Sequence, residues 1–216
     1  MRVTILFAAA LILLIGVSTA KATPQIPDIL IHEGKEYPIQ SDFLYDYFKK
    51  FPERDPKPKD DWCSALWRGY RATFGVNTGR IYLKDIAVNV CFGTPTSELK
   101  KVVPSGETLY IDWVTDLLAS GNGENREDPY SLESLDAYEK YSVFAIDKGT
   151  ILEVRHLDNK GYRLFKKKQF KAYKKTKEYD LEVKEMLERN PKMNKSDADW
   201  NIEFSIFSYT KTFLAK

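Results

Sequence analysis

The sequence is short of the residues and motifs on which most catalytic and metal sites depend. Its 216 residues include two cysteines and two histidines, and two histidines make a His-based metal centre or catalytic triad hard to assemble. There is no Gly-rich phosphate loop, no G-x-S-x-G or H-E-x-x-H motif, and no internal repeat of solenoid or propeller period. We therefore predict no catalytic residue, no bound metal and no cofactor.

The chain also lacks an excess of charge of either sign. It has 33 basic and 31 acidic residues, and the first 22 residues contribute Arg2 and Lys21 but no acid. Removal of that segment would leave a chain close to neutrality, which argues against binding of polyanions by bulk charge. We therefore predict that nucleic acid is not a partner.

Residues 1–22 have the pattern of a secretory signal peptide. Val3 to Val17 is apolar or small apart from one threonine, and Ala20-Lys21-Ala22 fits an A-x-A cleavage site. We predict cleavage after Ala22, a single exported domain over residues 23–216, and a periplasmic or secreted location. An uncleaved anchor is the alternative, because the uncharged run is just long enough to span a membrane.

The stretch from Trp62 to Cys91 predicts a β-hairpin. Two β-type runs flank the turn-forming sequence Asn77-Thr78-Gly79-Arg80. Alternate residues from Leu66 to Val76 form an apolar face that is broken by Arg68. In the second run the apolar phase slips by one residue near Lys84-Asp85, which indicates a β-bulge.

The only two cysteines lie at the ends of this stretch. Cys63 and Cys91 would stand near opposite positions of the hairpin, and an even number of cysteines in an exported chain favours a disulfide. We predict a Cys63–Cys91 bond that stabilises the fold by about 3–4 kcal/mol. A pair of buried free thiols is the alternative.

The hairpin also resembles a known pattern. Ala65-Leu66-Trp67-Arg68-Gly69-Tyr70, followed by Ala72-Thr73-Phe74 and Tyr82-Leu83-Lys84-Asp85-Ile86, is similar to a motif in a group of uncharacterised bacterial proteins. The resemblance covers about thirty residues, and Val114-Thr115-Asp116-Leu117 departs from the pattern that would follow Asp112-Trp113. It implies a β-rich bacterial domain and transfers no catalytic residue to this chain.

The chain as a whole predicts an α+β fold, an antiparallel β-sheet-rich single domain with two or three helices. Turn signals, capping residues and hydrophobic periodicity place its elements along the sequence. We expect a strand pair over Ile29–Ile39, a helix capped by Ser41-Asp42, a loop over Phe92–Gly106, a strand over Thr108–Ala119, a helix over Ser131–Tyr141, a hairpin turning at Lys148-Gly149, a helix from Lys160 to Arg189 and a terminal strand over Trp200–Phe213.

The segment from Lys160 to Lys177 is the strongest charge feature, with nine basic residues, no acid and interleaved aromatic residues. Glu124 to Glu139 holds six acids against Arg126 alone, so the two segments could neutralise each other within the fold. An anionic membrane surface is a possible external partner of Lys160–Lys177. We favour the internal partner, because segregated charge in a nearly neutral chain suits self-complementation.

The leading functional hypothesis is a non-enzymatic binding or interaction protein whose partner is an unknown protein or small-molecule ligand. Its binding surface would use Trp67, Arg68, Arg71, Asp112 and Trp113, if the two segments are neighbours in one sheet. We expect the Arg68 guanidinium to reach a carboxylate or water beyond the core edge, and an anion site beside Trp67 is the alternative.

The competing hypothesis is a carboxylate-dependent hydrolase that acts on a cell-envelope or host polymer. Asp85, Asp112 and Asp116 would supply the carboxylates, together with His156. A pair of carboxylates in one cleft, one of them with a raised pKa, would favour this enzyme. An open face lined by aromatic residues and arginine would favour binding.

Overall fold

A computed structural model describes residues 25–57, 63–125 and 138–215 of the chain, with the side chains of residues 124 and 125 excepted. The predicted signal peptide and the predicted helix over Ser131–Tyr141 therefore fall wholly or mostly outside the described residues. Tyr138 to Tyr141, the described end of that predicted helix, belongs to a strand.

Within the described residues, eight strands form one sheet, in the order β2-β1-β3-β4-β8-β7-β6, with β5 paired to β4. The strands are β1 (Asp28–His32), β2 (Lys35–Ile39), β3 (Arg71–Asn77), β4 (Arg80–Val88), β5 (Thr96–Ser97), β6 (Asp116–Asn125), β7 (Tyr138–Asp147) and β8 (Thr150–Asp158). β1 and β3 run parallel and all other pairs run antiparallel, so the sheet is mixed where an antiparallel one was predicted. β2 and β6, at the two ends of this order, also contact each other, so the sheet curls.

Three of the connections are tight hairpins at the places that turn chemistry predicts. They turn at Glu33-Gly34, Thr78-Gly79 and Lys148-Gly149, and both residues of each turn have positive φ. That geometry matches the twist of the flanking strands and favours glycine. At Gly149 a larger residue would also clash, because its Cβ would lie 2.8 Å from the Ile111 carbonyl oxygen.

The β3–β4 hairpin contains the predicted bulge. Thr73 lies opposite Asp85 and Phe74 lies opposite Leu83, which leaves Lys84 as the extra residue. The predicted apolar face of β3 is confirmed, since Ala72 and Phe74 are fully buried. The strand begins only at Arg71, however, because Ser64–Leu66 forms a 3-10 turn followed by a bend.

Six α-helices lie in the described part of the chain, where two or three were predicted. They are α1 (Tyr45–Lys50), α2 (Leu99–Val102), α3 (Asn159–Tyr173), α4 (Lys177–Arg189), α5 (Lys195–Phe204) and α6 (Ile206–Tyr209). The predicted helix from Lys160 to Arg189 is interrupted after Tyr173, and the Thr176 side chain then caps α4. The predicted loop Phe92–Gly106 contains β5 and α2.

The C-terminal strand predicted over Trp200–Phe213 is wrong, because this segment forms α5 and α6. Asn194 and Asp197 form a capping box that starts α5. Ala198, Ile202 and Ile206 recur every four residues and are fully buried on one side. The apparent alternation of Ile202 and Ile206 with polar residues is therefore part of a helical period.

Two further predictions differ from the structure near the sheet. Over Thr108–Ala119, Tyr110 makes only an isolated bridge to Tyr82, a turn follows, and β6 begins at Asp116. Ser41 does not cap α1, because its hydroxyl donates instead to the buried carboxylate of Asp28, at 2.8 Å.

The described part of the chain has an interior of three apolar clusters. The largest lies on the sheet and includes Leu30, Phe74, Ile81, Ile86, Ile111, Phe144 and Ile146. A second lies among the helices and includes Phe170, Tyr179, Val183, Ala198, Ile202 and Ile206. A third joins helices to sheet through Tyr141, Val143, Tyr162, Phe165 and Ala215.

The two cysteines are bonded, as predicted. The Cys63 and Cys91 sulfurs are 1.96 Å apart, and the bond ties the segment before β3 to the segment after β4. None of the helices that the structure describes is long and apolar enough to cross a membrane.

Candidate functional site

Helix α1 forms a short ridge with a cleft on each side. The first, the Trp113 cleft, has a volume of about 480 Å³ and is lined by Asp46, Tyr47, Lys50, Phe51, Arg54, Glu107, Leu109 and Trp113, among others. The second, the Trp67 cleft, has a volume of about 390 Å³ and is lined by Asp42, Tyr45, Phe48, Lys49, Asp55, Lys57, Trp67, Arg68 and Tyr70. Both volumes fall in the range of ligand-binding pockets.

The wall of the Trp113 cleft is held by contacts among its own side chains. The Trp113 indole stacks on the Tyr47 ring, with 5.7 Å between the ring centroids. Its Nε1 donates a hydrogen bond to the Phe43 carbonyl oxygen at 2.8 Å. Arg54 donates to the Tyr47 hydroxyl at 2.7 Å and lies 4.4 Å above the Phe51 ring centroid. These contacts fix the aromatic surface before any ligand arrives, although Trp113 remains 42% exposed.

The Trp67 cleft presents two exposed rings above a buried floor. Trp67 is 55% exposed and Tyr45 is 64% exposed, whereas Phe48 and Tyr70 are buried and meet edge to face at 5.4 Å. Burial raises the pKa of Tyr70, and the Asp28 charge acts in the same direction. Tyr70 is therefore a neutral apolar part of the floor, and the exposed Trp67 and Tyr45 are the surfaces available to a partner.

Beneath this cleft, Arg68 and Asp28 form a buried ion pair. Arg68 Nη1 lies 2.8 Å from Asp28 Oδ2, with the side chains 9% and 2% exposed. The same guanidinium donates to the carbonyl oxygens of Ser41 and Ile26, and Asp28 Oδ1 accepts from the Ala72 amide at 2.8 Å. Burial raises the pKa of Asp28, while Arg68 and these hydrogen bonds act against it. Arg68 was expected to reach a carboxylate or water beyond the core edge; it does reach a carboxylate, but that carboxylate is buried.

The structure brings together only part of the predicted binding set. Trp67 and Arg68 line one cleft, and Trp113 lines the other across α1. Asp112 instead forms an exposed pair with Arg80 at 2.8 Å, and Arg71 lies on β3 opposite Ala87. The hypothesis required the segment that contains Trp67 and the segment that contains Trp113 to be neighbours in one sheet. They are not, because Asp112 and Trp113 occupy a turn.

The clefts also contain residues that sequence reasoning did not select. Tyr45, Tyr47 and Arg54 belong to α1 or follow it directly. The only available signal was the aromatic stripe of this helix, which usually indicates core packing. That stripe consists of Leu44, Tyr47, Phe48 and Phe51. Tyr47 does pack inward, whereas Tyr45 lies off this spacing and points out, so the spacing indicates the core side of the helix but not the clefts beside it.

The carboxylates named for hydrolysis have different partners. Asp85 accepts from the Ser97 hydroxyl at 2.5 Å, Asp112 pairs with Arg80, and Asp116 pairs with Lys211 at 3.2 Å. Burial raises the pKa of Asp116, although Lys211 lowers it in part. His156 Nδ1 lies 2.9 Å from the Ser142 hydroxyl oxygen. Within residues 25–57, 63–125 and 138–215, no group of three or more His, Cys, Asp or Glu side chains could hold a metal ion.

Comparison of the chain with protein-family models, with curated proteins and with solved structures finds no match. The resemblance of the hairpin to a bacterial group therefore stays a prediction.

Proposed function

We propose that this protein is a non-enzymatic binding protein that holds a segment of another protein across α1. The observation that carries the proposal is the pair of exposed indoles, Trp67 and Trp113, on opposite sides of one short helix and each beside a cleft. Tryptophan, tyrosine and arginine are the residues most enriched at the energetic centres of protein interfaces. All three types line these two clefts.

The charges around the clefts support recognition of a protein rather than of a purely apolar ligand. Asp46, Lys50 and Glu107 border the Trp113 cleft, and Asp42, Lys49 and Asp55 border the Trp67 cleft. Both signs of charge therefore surround the aromatic surfaces. A polar rim of this kind around aromatic anchors is the usual composition of a protein interface.

Binding is better supported than hydrolysis. The stiff walls of the Trp113 cleft and the ion pair under the Trp67 cleft use their polar groups to hold aromatic surfaces in place. The carboxylates of the hydrolase hypothesis, by contrast, each belong to a separate pair. A catalytic pair of carboxylates needs both groups near the same bond.

The test begins with selection of binding peptides from a random library on the immobilised protein. The dissociation constant of a selected peptide is then measured by fluorescence anisotropy with the parent, Trp67→Ala, Trp113→Ala and Trp200→Ala. Loss of a central anchor costs at least about 2 kcal/mol, so each of the first two variants should weaken binding by about thirtyfold or more.

Trp200→Ala is the matched control, because Trp200 is also an exposed indole but lies on α5, away from both clefts. Circular dichroism checks that Trp113→Ala, which loses its stack on Tyr47, remains folded. Selected peptides that bind all four proteins equally would contradict the proposal.

A further inference from the structure

Helix α3 carries a stripe of lysines on its solvent side, separate from the clefts of α1. Lys160, Lys167, Lys168 and Lys171 are all exposed and recur with the helical period of 3.6 residues, so they share one face. Leu164, which is 53% exposed, lies in the middle of the same face. We call these five residues the lysine stripe. The opposite face of α3 is buried and largely aromatic.

None of the four lysines forms an ion pair with a residue in the described ranges. Other basic residues of the same segment do have defined positions: Lys174 pairs with Asp199 at 2.7 Å, and Lys166 is buried, 5.4 Å from the Phe204 ring centroid. The predicted internal partner, the acids from Glu124 to Glu139, falls almost entirely outside the described residues. The structure therefore divides the basic segment into lysines built into the fold and lysines directed to solvent.

An exposed indole borders the stripe. Trp200 on α5 is 64% exposed and stacks on Phe204 at 5.4 Å. Together with Arg163, Lys167 and Glu203 it lines a shallow cleft of about 320 Å³ between α3 and α5. Glu203 is the one acid among the described residues that line this cleft. A large apolar side chain and a row of positive charges thus face solvent on the same side of the helices.

We propose that the lysine stripe and Trp200 dock the protein on an anionic lipid surface. Lysines attract such a surface electrostatically, and tryptophan and leucine insert their apolar side chains at the headgroup boundary. Charge complementarity alone would also suit a nucleic acid or an acidic polysaccharide. The exposed Leu164 among the lysines favours lipid, because neither of those polymers offers an apolar layer to a leucine side chain. The proposal does not depend on the α1 clefts.

The experiment measures sedimentation of the full chain with phosphatidylglycerol-containing vesicles and with pure phosphatidylcholine vesicles. The zwitterionic vesicles measure any contribution of the apolar residues 1–22, which carry no part of this proposal. We expect preference for the anionic vesicles that disappears at about 1 M salt, where electrostatic attraction is screened within about 3 Å.

Each lysine near such a surface contributes about fivefold, or about 1 kcal/mol, to partitioning. Replacing Lys167, Lys168 and Lys171 by Gln should therefore weaken binding on the order of 100-fold.

The matched control replaces Lys35, Lys84 and Lys100, three exposed lysines of other elements, by Gln. Both variants lose the same charge, so the control should keep most of the binding if position matters. Trp200→Ala should weaken vesicle binding several-fold, and Trp67→Ala should not. The unfolding midpoint of each variant shows that it has folded.

Three results would overturn the proposal. The first is equal binding to both kinds of vesicle. The second is equal loss in the stripe variant and in the control. The third is binding to polygalacturonate or to a single-stranded oligonucleotide without binding to anionic vesicles. Failure of the peptide experiment at Trp67 would leave these outcomes unchanged, so the two proposals fail separately.

Discussion

The cations around the clefts of the sheet half and those of the lysine stripe in the helical half differ in what surrounds them. In the sheet half, residues 25–57, 63–125 and 138–158, Arg68 is buried against Asp28 and Arg54 lies on Phe51 and Tyr47. In the helical half, residues 159–215, the lysine stripe and Trp200 face solvent. Cations of the sheet half thus support its aromatic clefts, whereas those of the stripe form a surface.

Composition alone therefore does not assign a role to a segment rich in cations and aromatic residues. A cation already held by a carboxylate or a ring contributes to stability and to the shape of a neighbouring cleft. A cation in water contributes little to stability and remains available to a partner. Substitutions in the two halves should therefore change different observables.

The largest effect should come from breaking the buried pair of the sheet half. Arg68→Ala leaves the Asp28 carboxylate buried without its cation, which typically costs about 3–5 kcal/mol. Lys167→Ala, in the stripe, should change the free energy of unfolding by no more than about 0.5 kcal/mol. Both values are measured by urea denaturation monitored by circular dichroism.

Arg80→Ala is the control, because Arg80 also pairs with an aspartate but the pair is exposed. Its loss should cost at most about 1 kcal/mol. A similar cost for Arg68→Ala and Arg80→Ala would remove the distinction between built-in and surface cations.

The next effect should come from the disulfide, which occurs only in the sheet half. Replacing Cys63 and Cys91 by Ser removes the cross-link between two residues that are 28 positions apart in the sequence. The chain-entropy model gives a loss of about 3–4 kcal/mol. The unfolding free energies of the parent and the double variant measure it, and intact mass without reductant confirms the bond in the parent. Two thiols that alkylate in unfolded, unreduced protein would contradict the pairing.

Local sequence signals predicted the hairpins well, because their causes are local. The turn at Thr78-Gly79 needs two residues that accept positive φ, and the bulge at Lys84 is visible as a change of phase. The same reasoning failed over Trp200–Phe213. The spacing of Ile202 and Ile206 is compatible with both a strand and a helix. The capping box that begins at Asn194 was the signal that favoured a helix.

The candidate site could be predicted only in part, because its geometry depends on residues distant in the chain. Arg68 was recognised as anomalous on an apolar face, but nothing local identifies Asp28, forty residues earlier, as its partner. Likewise, Lys166 and Lys167 are neighbours in one basic run, yet one is buried and the other exposed. The position of the helix against its neighbours decides this, and a charge count does not contain it.

The helical half has its own built-in polar network, and its loss should have a smaller effect than loss of the buried ion pair or of the disulfide. The Tyr179 hydroxyl donates to the carboxylate of Asp199, which also accepts from Lys174, so the network joins α3, α4 and α5. Burial raises the pKa of Tyr179 to about 12, and the hydrogen bond to Asp199 acts in the same direction. Burial by itself would raise the pKa of Asp199. The hydrogen bonds from Lys174 and Tyr179 outweigh burial, so the pKa of Asp199 is lowered.

The raised pKa of Tyr179 sets a pH window for the helical half. The folded state favours the neutral phenol, so the contribution is complete below the unfolded tyrosine pKa of about 10 and is lost as the pH rises toward 12. We expect Tyr179→Phe to cost on the order of 2 kcal/mol at neutral pH, the usual contribution of a hydrogen bond to a charged acceptor, and less near pH 12. Tyr70→Phe is the counterpart in the sheet half, since burial raises the pKa of Tyr70 as well. Unfolding free energies measured across this range should show the Tyr179 difference shrinking, and a constant difference would mean that the phenol proton has no part in holding these three helices together.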